Sequence, residues 1–315
     1  NTSEDLLYAV PVPEQAGVSN TTVTMNAASM NNSGFEFSAT YRNRDRDFKY
    51  ELSANLSTLH NRVTSLGFGT DSYISGAYIT NVGQEIGQFY GWAYEGIART
   101  QEDLDNHATQ EGAQIGDCLY KDISGPDGKP DGKVDANDQV VLGSGMPKIH
   151  FGLNARFEYK RFDLSIATFG ALNYHVSDDI YNSLNSCYGW GNKEVGMLDA
   201  NRFSEDGSTY LSNVPRTYVT NSASLGWNDL FSSRKIQNAA YWKIANVELG
   251  YNFPNEWFGK YVSDVRFYVS AQNLHTFTGY HGYNVDYAGG TFTPGYNFCS
   301  YPTARTFMCG VHFTF

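Results

Sequence analysis

Four aspartates recur over a short stretch: Asp127, Asp131, Asp135 and Asp138. They take positions one, five, nine and twelve of a twelve-residue loop of the kind that wraps Ca²⁺, with Gly132 at position six, where such loops turn sharply. Clustered carboxylates and backbone carbonyls suit a hard cation, so calcium is the cofactor this spacing predicts. Two departures weigh against it. Position three is Lys129, where an oxygen ligand is needed, and position twelve is Asp where the longer Glu would chelate. Asp122 is a substitute ligand within reach along the chain. The competing reading is a solvated acidic turn in which Asp and Gly serve backbone geometry.

A second set is aromatic. Tyr188, Trp190, Tyr283, Tyr287 and Tyr296 fall in two long polar stretches, about 172–239 and 275–303, as do Tyr181, Trp227, Tyr280 and Phe298. Aromatic faces in such loops stack on sugar rings or grip peptide side chains, and they equally form local cores where a long loop folds back on itself. No catalytic set emerges. None of the seven histidines pairs with Ser or Cys in a recognisable motif, and neither G-x-S-x-G nor H-E-x-x-H occurs. The chain reads as a non-enzyme. A net charge of −11 would neutralise no phosphate, so nucleic acid is excluded as a partner. Cys118, Cys187, Cys299 and Cys309 lie at no metal-ligand spacing, and a Cys187–Cys299 bridge stays open as one of two readings.

The elements that must position these loops alternate with period two. Phe35, Phe37, Ala39 and Tyr41 oppose Glu36, Ser38, Thr40 and Arg42; after a turn at 43–46, Phe48, Tyr50, Leu52, Ala54 and Leu56 share a face. Residues 151–159 and 162–168 repeat the pattern around Lys160-Arg161. Residues 241–253 form a strand, and 265–271 alternate again. The chain ends on Phe307, Cys309, Val311, Phe313 and Phe315, an apolar face that stops in mid-pattern. Weaker strands are predicted at 21–27, 86–97 and 117–121. A greasy terminal strand invites edge pairing unless a closed barrel satisfies both its edges and lipid covers its apolar face.

Connection lengths point the same way. Short turns at 43–46 and 160–161 and a moderate one at Pro254 fall on one side, and the long stretches fall on the other, as in outer-membrane barrels. This alternation requires 117–121 to be a wall strand if 86–97 is one. The greasy faces then meet lipid, while Arg156, Glu158, Asp163, Arg266, Gln272 and His312 face a wet lumen, where their charge is not buried in a core. No run of about 18 apolar residues exists, which excludes a membrane-spanning helix and says nothing against strands. The opening N-T-S-E-D-L-L-Y carries no signal sequence, implying a mature N-terminus or a piece of a longer chain. The rival reading is a soluble, secreted β-sandwich that binds carbohydrate.

Four stretches carry a resemblance. They are Asn32-Ser33-Gly34-Phe35-Glu36-Phe37; Tyr120-Lys121-Asp122 with Asp131-Gly132-Lys133-Val134-Asp135-Ala136-Asn137-Asp138; Phe151-Gly152-Leu153-Asn154 through Tyr159-Lys160-Arg161-Phe162-Asp163-Leu164-Ser165; and Val265 to Leu274, followed by Tyr301-Pro302 and Arg305-Thr306-Phe307. In order and register they resemble the C-terminal part of a SusC-like TonB-dependent transporter of the Bacteroidetes outer membrane. The resemblance implies an all-β chain, residues 1–315 forming about the last ten antiparallel strands of a transmembrane barrel of about 22 strands with a plugged lumen. The plug, the first barrel strands and the TonB-engaging segment would lie N-terminal to this chain. It also implies a SusD-like surface lipoprotein as lid, and an oligosaccharide or peptide as cargo.

Overall fold

The computed structural model describes residues 2–11, 22–67, 69–186, 192–195, 214–216, 226–258, 262–286 and 289–315. It opens with β1 (Thr2–Pro11), antiparallel to β2 (Thr22–Ser33). After Gly34-Phe35 the chain resumes as β3 (Glu36–Asn43). Its partner β4 (Phe48–Thr58) resumes past Leu59 as β5 (His60–Ser65). These are two long strands, each with one break. Glu36 faces Ser57 and Ser33 faces His60 with no slip, and the Thr58 N–H donates to the Phe35 carbonyl across the junction at 2.9 Å. Gly34 is required there, because a Cβ would overlap the Thr58 carbonyl.

Residues 66–148 then leave the wall. They hold β6 (Ser72–Ser75), β7 (Tyr78–Asn81), β8 (Gln88–Trp92), β9 (Tyr94–Ile97), the short helix α1 (Gln101–Asn106), β10 (Cys118–Tyr120) and β11 (Gln139–Ser144). The order β11-β8-β7-β6 makes one small sheet, and β10 pairs with β9 in another. This corrects the expectation that 86–97 and 117–121 are wall strands. They are short, and their residues are largely buried among loop partners. Because two segments leave together, the alternation of long and short connections survives.

The wall resumes with β12 (Ile149–Tyr159) and β13 (Phe162–Leu172). Then come β14 (His175–Asp178), α2 (Asp179–Leu184) and β15 (Gln237–Asn238) in the second long loop. β16 (Tyr241–Asn252) and β17 (Asp264–Thr278) follow. The third long loop carries β18 (Gly289–Gly290), β19 (Thr293–Pro294) and β20 (Tyr296–Asn297), and β21 (Thr306–Thr314) closes the order. The main sheet runs β21-β17-β16-β13-β12-β4-β3, antiparallel throughout. Counting β2/β3 and β4/β5 as one span each, the described residues give eight wall spans, including β1, which the sequence pattern did not reveal.

Register sorts the faces. Tyr41, Leu52, Ala155, Ile166, Val247, Ala271 and Phe307 form one row across seven strands. The row beside it, on the other face, is Arg42, Glu51, Arg156, Ser165, Glu248, Ser270 and Met308. The apolar face is open: Phe37 is 64% and Phe313 51% exposed. In a soluble sandwich a second sheet would cover that face; among the described residues none does. Aromatic residues mark its two ends on β17, Phe267 near the short turns and Phe277, stacked on Trp242, near the long loops. Ten residues of strand span roughly 33 Å, which a barrel-like tilt reduces to about 25 Å, the height of an outer-membrane apolar band.

The opposite face is charged toward the short-turn end. Arg42 pairs with Glu51 (2.8 Å), Arg156 with Glu158 (3.2 Å), and Arg266 with both Asp163 (2.5 Å) and Glu248 (2.8 Å). Arg266 reaches Asp163 across Gly250, where any Cβ would collide with both groups. Near the long loops a bulge at Ala245 inverts the phase of β16. Ile244 and Trp242 turn to the apolar face, and Lys243 and Tyr241 turn inward. Without it, Lys243 would share a face with Val247 and Leu249.

Adjacent residues therefore carry opposite expectations. Leu153→Arg places charge on the apolar face and should cost about 2–4 kcal/mol in a bilayer. Asn154→Arg, facing inward, should leave assembly intact. Heat-modifiable gel mobility of the outer-membrane fraction compares them, and equal defects or the reverse order would show the faces to be misassigned.

Candidate functional site

The three long loops leave one end of the wall and fasten to one another. The second and third meet at Asp178, Tyr280 and Asn297. β14 pairs in parallel with β20, placing Asp178 opposite Asn297. The Tyr280 hydroxyl donates to Asp178 Oδ2, and Asn297 Nδ2 donates to the Tyr280 oxygen at 2.7 Å and to Asp178 Oδ2 at 3.2 Å. Asp178 Oδ1 accepts the Tyr181 N–H as the N-cap of α2 (2.9 Å). Burial, reinforced by the Asp178 carboxylate, pushes the Tyr280 phenol above its ordinary range and keeps it a donor. Tyr174 adds a hydroxyl bond to the Val285 carbonyl (3.0 Å). The third loop is tied to the wall by Lys243 Nζ and Asp286 Oδ2 at 2.6 Å, a pair whose lysine is buried.

The first and second loops meet at Asp117. Its carboxylate accepts from Arg216 Nε (2.6 Å) and Nη2 (3.0 Å) and from Asn228 Nδ2 (2.7 Å), and Asn228 Oδ1 accepts the Cys118 N–H (2.7 Å). Cys118, Tyr120 and Val134 form the buried core beneath, with Trp92, Tyr94, Trp227 and Leu230 packed on it. Burial raises both the Tyr120 phenol and the Cys118 thiol above their ordinary ranges, so neither ionises near neutrality. Breaking the buried Asp117–Arg216 pair would strand an uncompensated carboxylate.

The acidic loop belongs to this assembly. Asp138 is 0% exposed, and its Oδ1 accepts the N–H groups of Ile123 (2.7 Å) and Ser124 (3.0 Å) while Oδ2 accepts that of Asp135 (2.7 Å). Asp135 Oδ1 accepts the Asn137 N–H (2.7 Å), completing a reciprocal cap on a single 3₁₀ turn at 136–138. Asp122 accepts the N–H groups of Asp131 (3.3 Å) and Gly132 (2.7 Å), and Asp131 that of Lys133 (3.0 Å). Asp127 sits at the exposed tip. Among the described residues, no three His, Cys, Asp or Glu side chains converge to hold a metal ion. Three of the four aspartates instead accept backbone donors, Asp131 and Asp135 through one oxygen each and Asp138 through both.

Of the predicted aromatic contacts, Tyr188, Trp190 and Tyr287 lie outside the described residues. Tyr283 is 69% exposed. Tyr296 lines a cavity of about 880 Å³ between the loops, with Asp179, Asn182, Lys193 and Lys235. Tyr280 is spent on a loop core, Trp227 packs against one while part of its surface lines a cleft, and Tyr181 stacks on His281 with centroids 5.8 Å apart. Cys299 is an exposed free thiol. A second cavity of about 860 Å³ lies on the inner face under the loops, bounded by Met30, His150, Phe169, Tyr241 and Asp286. Sequence reasoning missed Lys243 and Asp286. The one available signal was a lysine out of phase in an otherwise apolar half-strand.

If the acidic loop is fastened through Asp138, Asp138→Ala strands three backbone donors, each costing roughly 1–3 kcal/mol. Amide exchange over 121–138 should rise sharply while the wall stays protected, and millimolar Ca²⁺ should change neither form. Protection of the native loop by Ca²⁺, lost in Asp127→Ala, would restore the cation reading.

A scan against protein-family models gives no match. Curated relatives do match. TonB-dependent receptor P3 of Formosa agariphila is 30% identical over 99% of this chain and 31% of its own length. TonB-dependent receptor SusC of Bacteroides thetaiotaomicron is 26% identical over 99% of this chain and 29% of its own. The chain thus spans about a third of the relatives it matches. In fold it superposes on a chain of the RagAB peptide transporter structure with a TM-score of 0.76, at 22% identity, over 98% of this chain and 32% of that one. A wall with one apolar face, long interlocked loops at one end, and relatives that align along its whole extent match this chain to a C-terminal barrel fragment of the SusC-type TonB-dependent receptors.

Proposed function

We propose that the chain is the cargo-facing barrel portion of a nutrient importer in the bacterial outer membrane. The observation that carries the reading is the wall: apolar outward, charged inward, and crowned at one end by three long loops that fasten to each other and enclose two cavities. A SusD-like lipoprotein would seat on those loops as a lid. The N-terminal part of such a transporter would supply the plug, the TonB-engaging segment and the strands that pair with the outer edges of β1 and β21. The cargo is an oligosaccharide or a peptide, held by loop aromatics such as the exposed Tyr283 and the cavity-lining Tyr296. The wall has no catalytic duty in this reading. Its task is to hold a polar passage through lipid and to present the loops.

The test separates assembly from capture. Tyr283→Ala with Tyr296→Ala should leave heat-modifiable mobility unchanged, because neither side chain supports the wall. It should reduce both co-purification of the lid protein and growth on the imported nutrient. Unchanged growth and lid retention would remove these residues from capture; a receptor that fails to fractionate with the outer membrane would remove the importer reading itself.

A further inference from the structure

We propose that the cleft between Trp92 and Trp227 binds an organic cation, the guanidinium or ammonium head of a basic peptide side chain. The cleft measures about 580 Å³ and lies in the loop assembly between the first and second long loops. Its lining includes both tryptophans, Leu230, and two acidic residues, Glu111 and Asp135; none of its lining residues is basic.

The two indoles are pinned in the same way. Trp92 Nε1–H donates to the Asp135 carbonyl at 3.0 Å, and Trp227 Nε1–H donates to the Glu111 carbonyl at 2.9 Å. Each ring spends its only polar group on the backbone of an acidic residue that lines the same cleft. What remains to offer is the ring face. The rings are also backed: Trp227 lies 6.2 Å from the Tyr120 ring, which meets Tyr94 edge-on at 6.4 Å. Both tryptophans are half-buried, so part of each face stays open to solvent.

A fixed indole face carries the negative end of the ring quadrupole and attracts cations, and Trp does this best among the aromatics. Acidic neighbours strengthen the attraction. Asp135 keeps Oδ2 after Oδ1 accepts the Asn137 N–H, and Glu111 has no ion-pair partner among the described residues. The net charge of −11 draws cations toward the chain from a distance. An anion is repelled by the same groups. A neutral saccharide would gain stacking and lose the electrostatic part. The proposal stands on the cleft alone and does not depend on import.

The experiment is calorimetric titration of the detergent-solubilised intact receptor with three probes: Gly-Arg-Gly amide, Gly-Glu-Gly and maltotriose. The arginine peptide should bind saturably and more weakly as salt rises, and the other two should not compete with it. Trp227→Leu should weaken binding by about tenfold. That change also touches the Tyr120 core, so Glu111→Gln, an exposed and isosteric substitution, serves as the second variant and should weaken binding severalfold without altering the fold. No saturable binding of the arginine peptide, equal affinity for Gly-Glu-Gly or maltotriose, or affinity unchanged in both variants would overturn the proposal.

Discussion

Everything in this chain follows from one constraint. A backbone placed in hydrocarbon must satisfy every N–H and C=O within the protein, because lipid offers no partner. An antiparallel wall with continuous register meets that demand, and period two then forces each residue to commit to lipid or lumen. The register here is strict enough that a single row of apolar side chains crosses seven strands, and the row beside it is charged or polar on every strand but the last, where Met308 stands. The inward ion pairs are partly solvated and contribute little to stability individually. Their importance is that the lumen tolerates them where lipid would not.

The same constraint explains where irregularity is placed. The bulge at Ala245 rotates Lys243 from the apolar to the inner face, where Asp286 meets it. One extra residue thus keeps a charge out of lipid and gives the third loop an anchor on the wall. Bulges near the rim of a barrel re-aim side chains in this way. The loops then fasten through buried polar pairs: Asp117 with Arg216 and Asn228, and Asp178 with Tyr280 and Asn297. A loop assembly held by such contacts keeps its shape while exposing selected aromatic surface.

Most of the wall was legible in the sequence, because alternation over eight or more residues is a strong signal and every lumen residue named from it falls on the inner face. What escaped did so for physical reasons. β1 mixes polar and apolar residues without a clean period. Residues 86–97 and 117–121 carry strand-like aromatics, yet those serve small sheets packed in a loop, and composition alone does not distinguish the two uses. Lys243 was hidden by the bulge, which breaks the very period used to read faces. In the acidic loop, spacing matched a cation site, but spacing does not tell whether carboxylates point at a shared centre or at neighbouring N–H groups. Tyr280 was one of several loop aromatics whose composition fits a ligand contact and a local core equally; its hydroxyl partners commit it to the core.

The central claim is that the long loops and the short turns lie on opposite sides of a membrane. Cys299 in the third loop is exposed, and Asp45 sits in the short turn between β3 and β4. A polyethylene-glycol maleimide too large to cross the outer membrane would be applied to intact cells. One receptor would retain Cys299 with Cys187→Ser; the other would carry Asp45→Cys with Cys187→Ser and Cys299→Ser. Labelling of Cys299 in intact cells, and of position 45 only after the outer membrane is permeabilised, is the result the wall and its loops require. The opposite pattern, or equal labelling of both sites in intact cells, would contradict it.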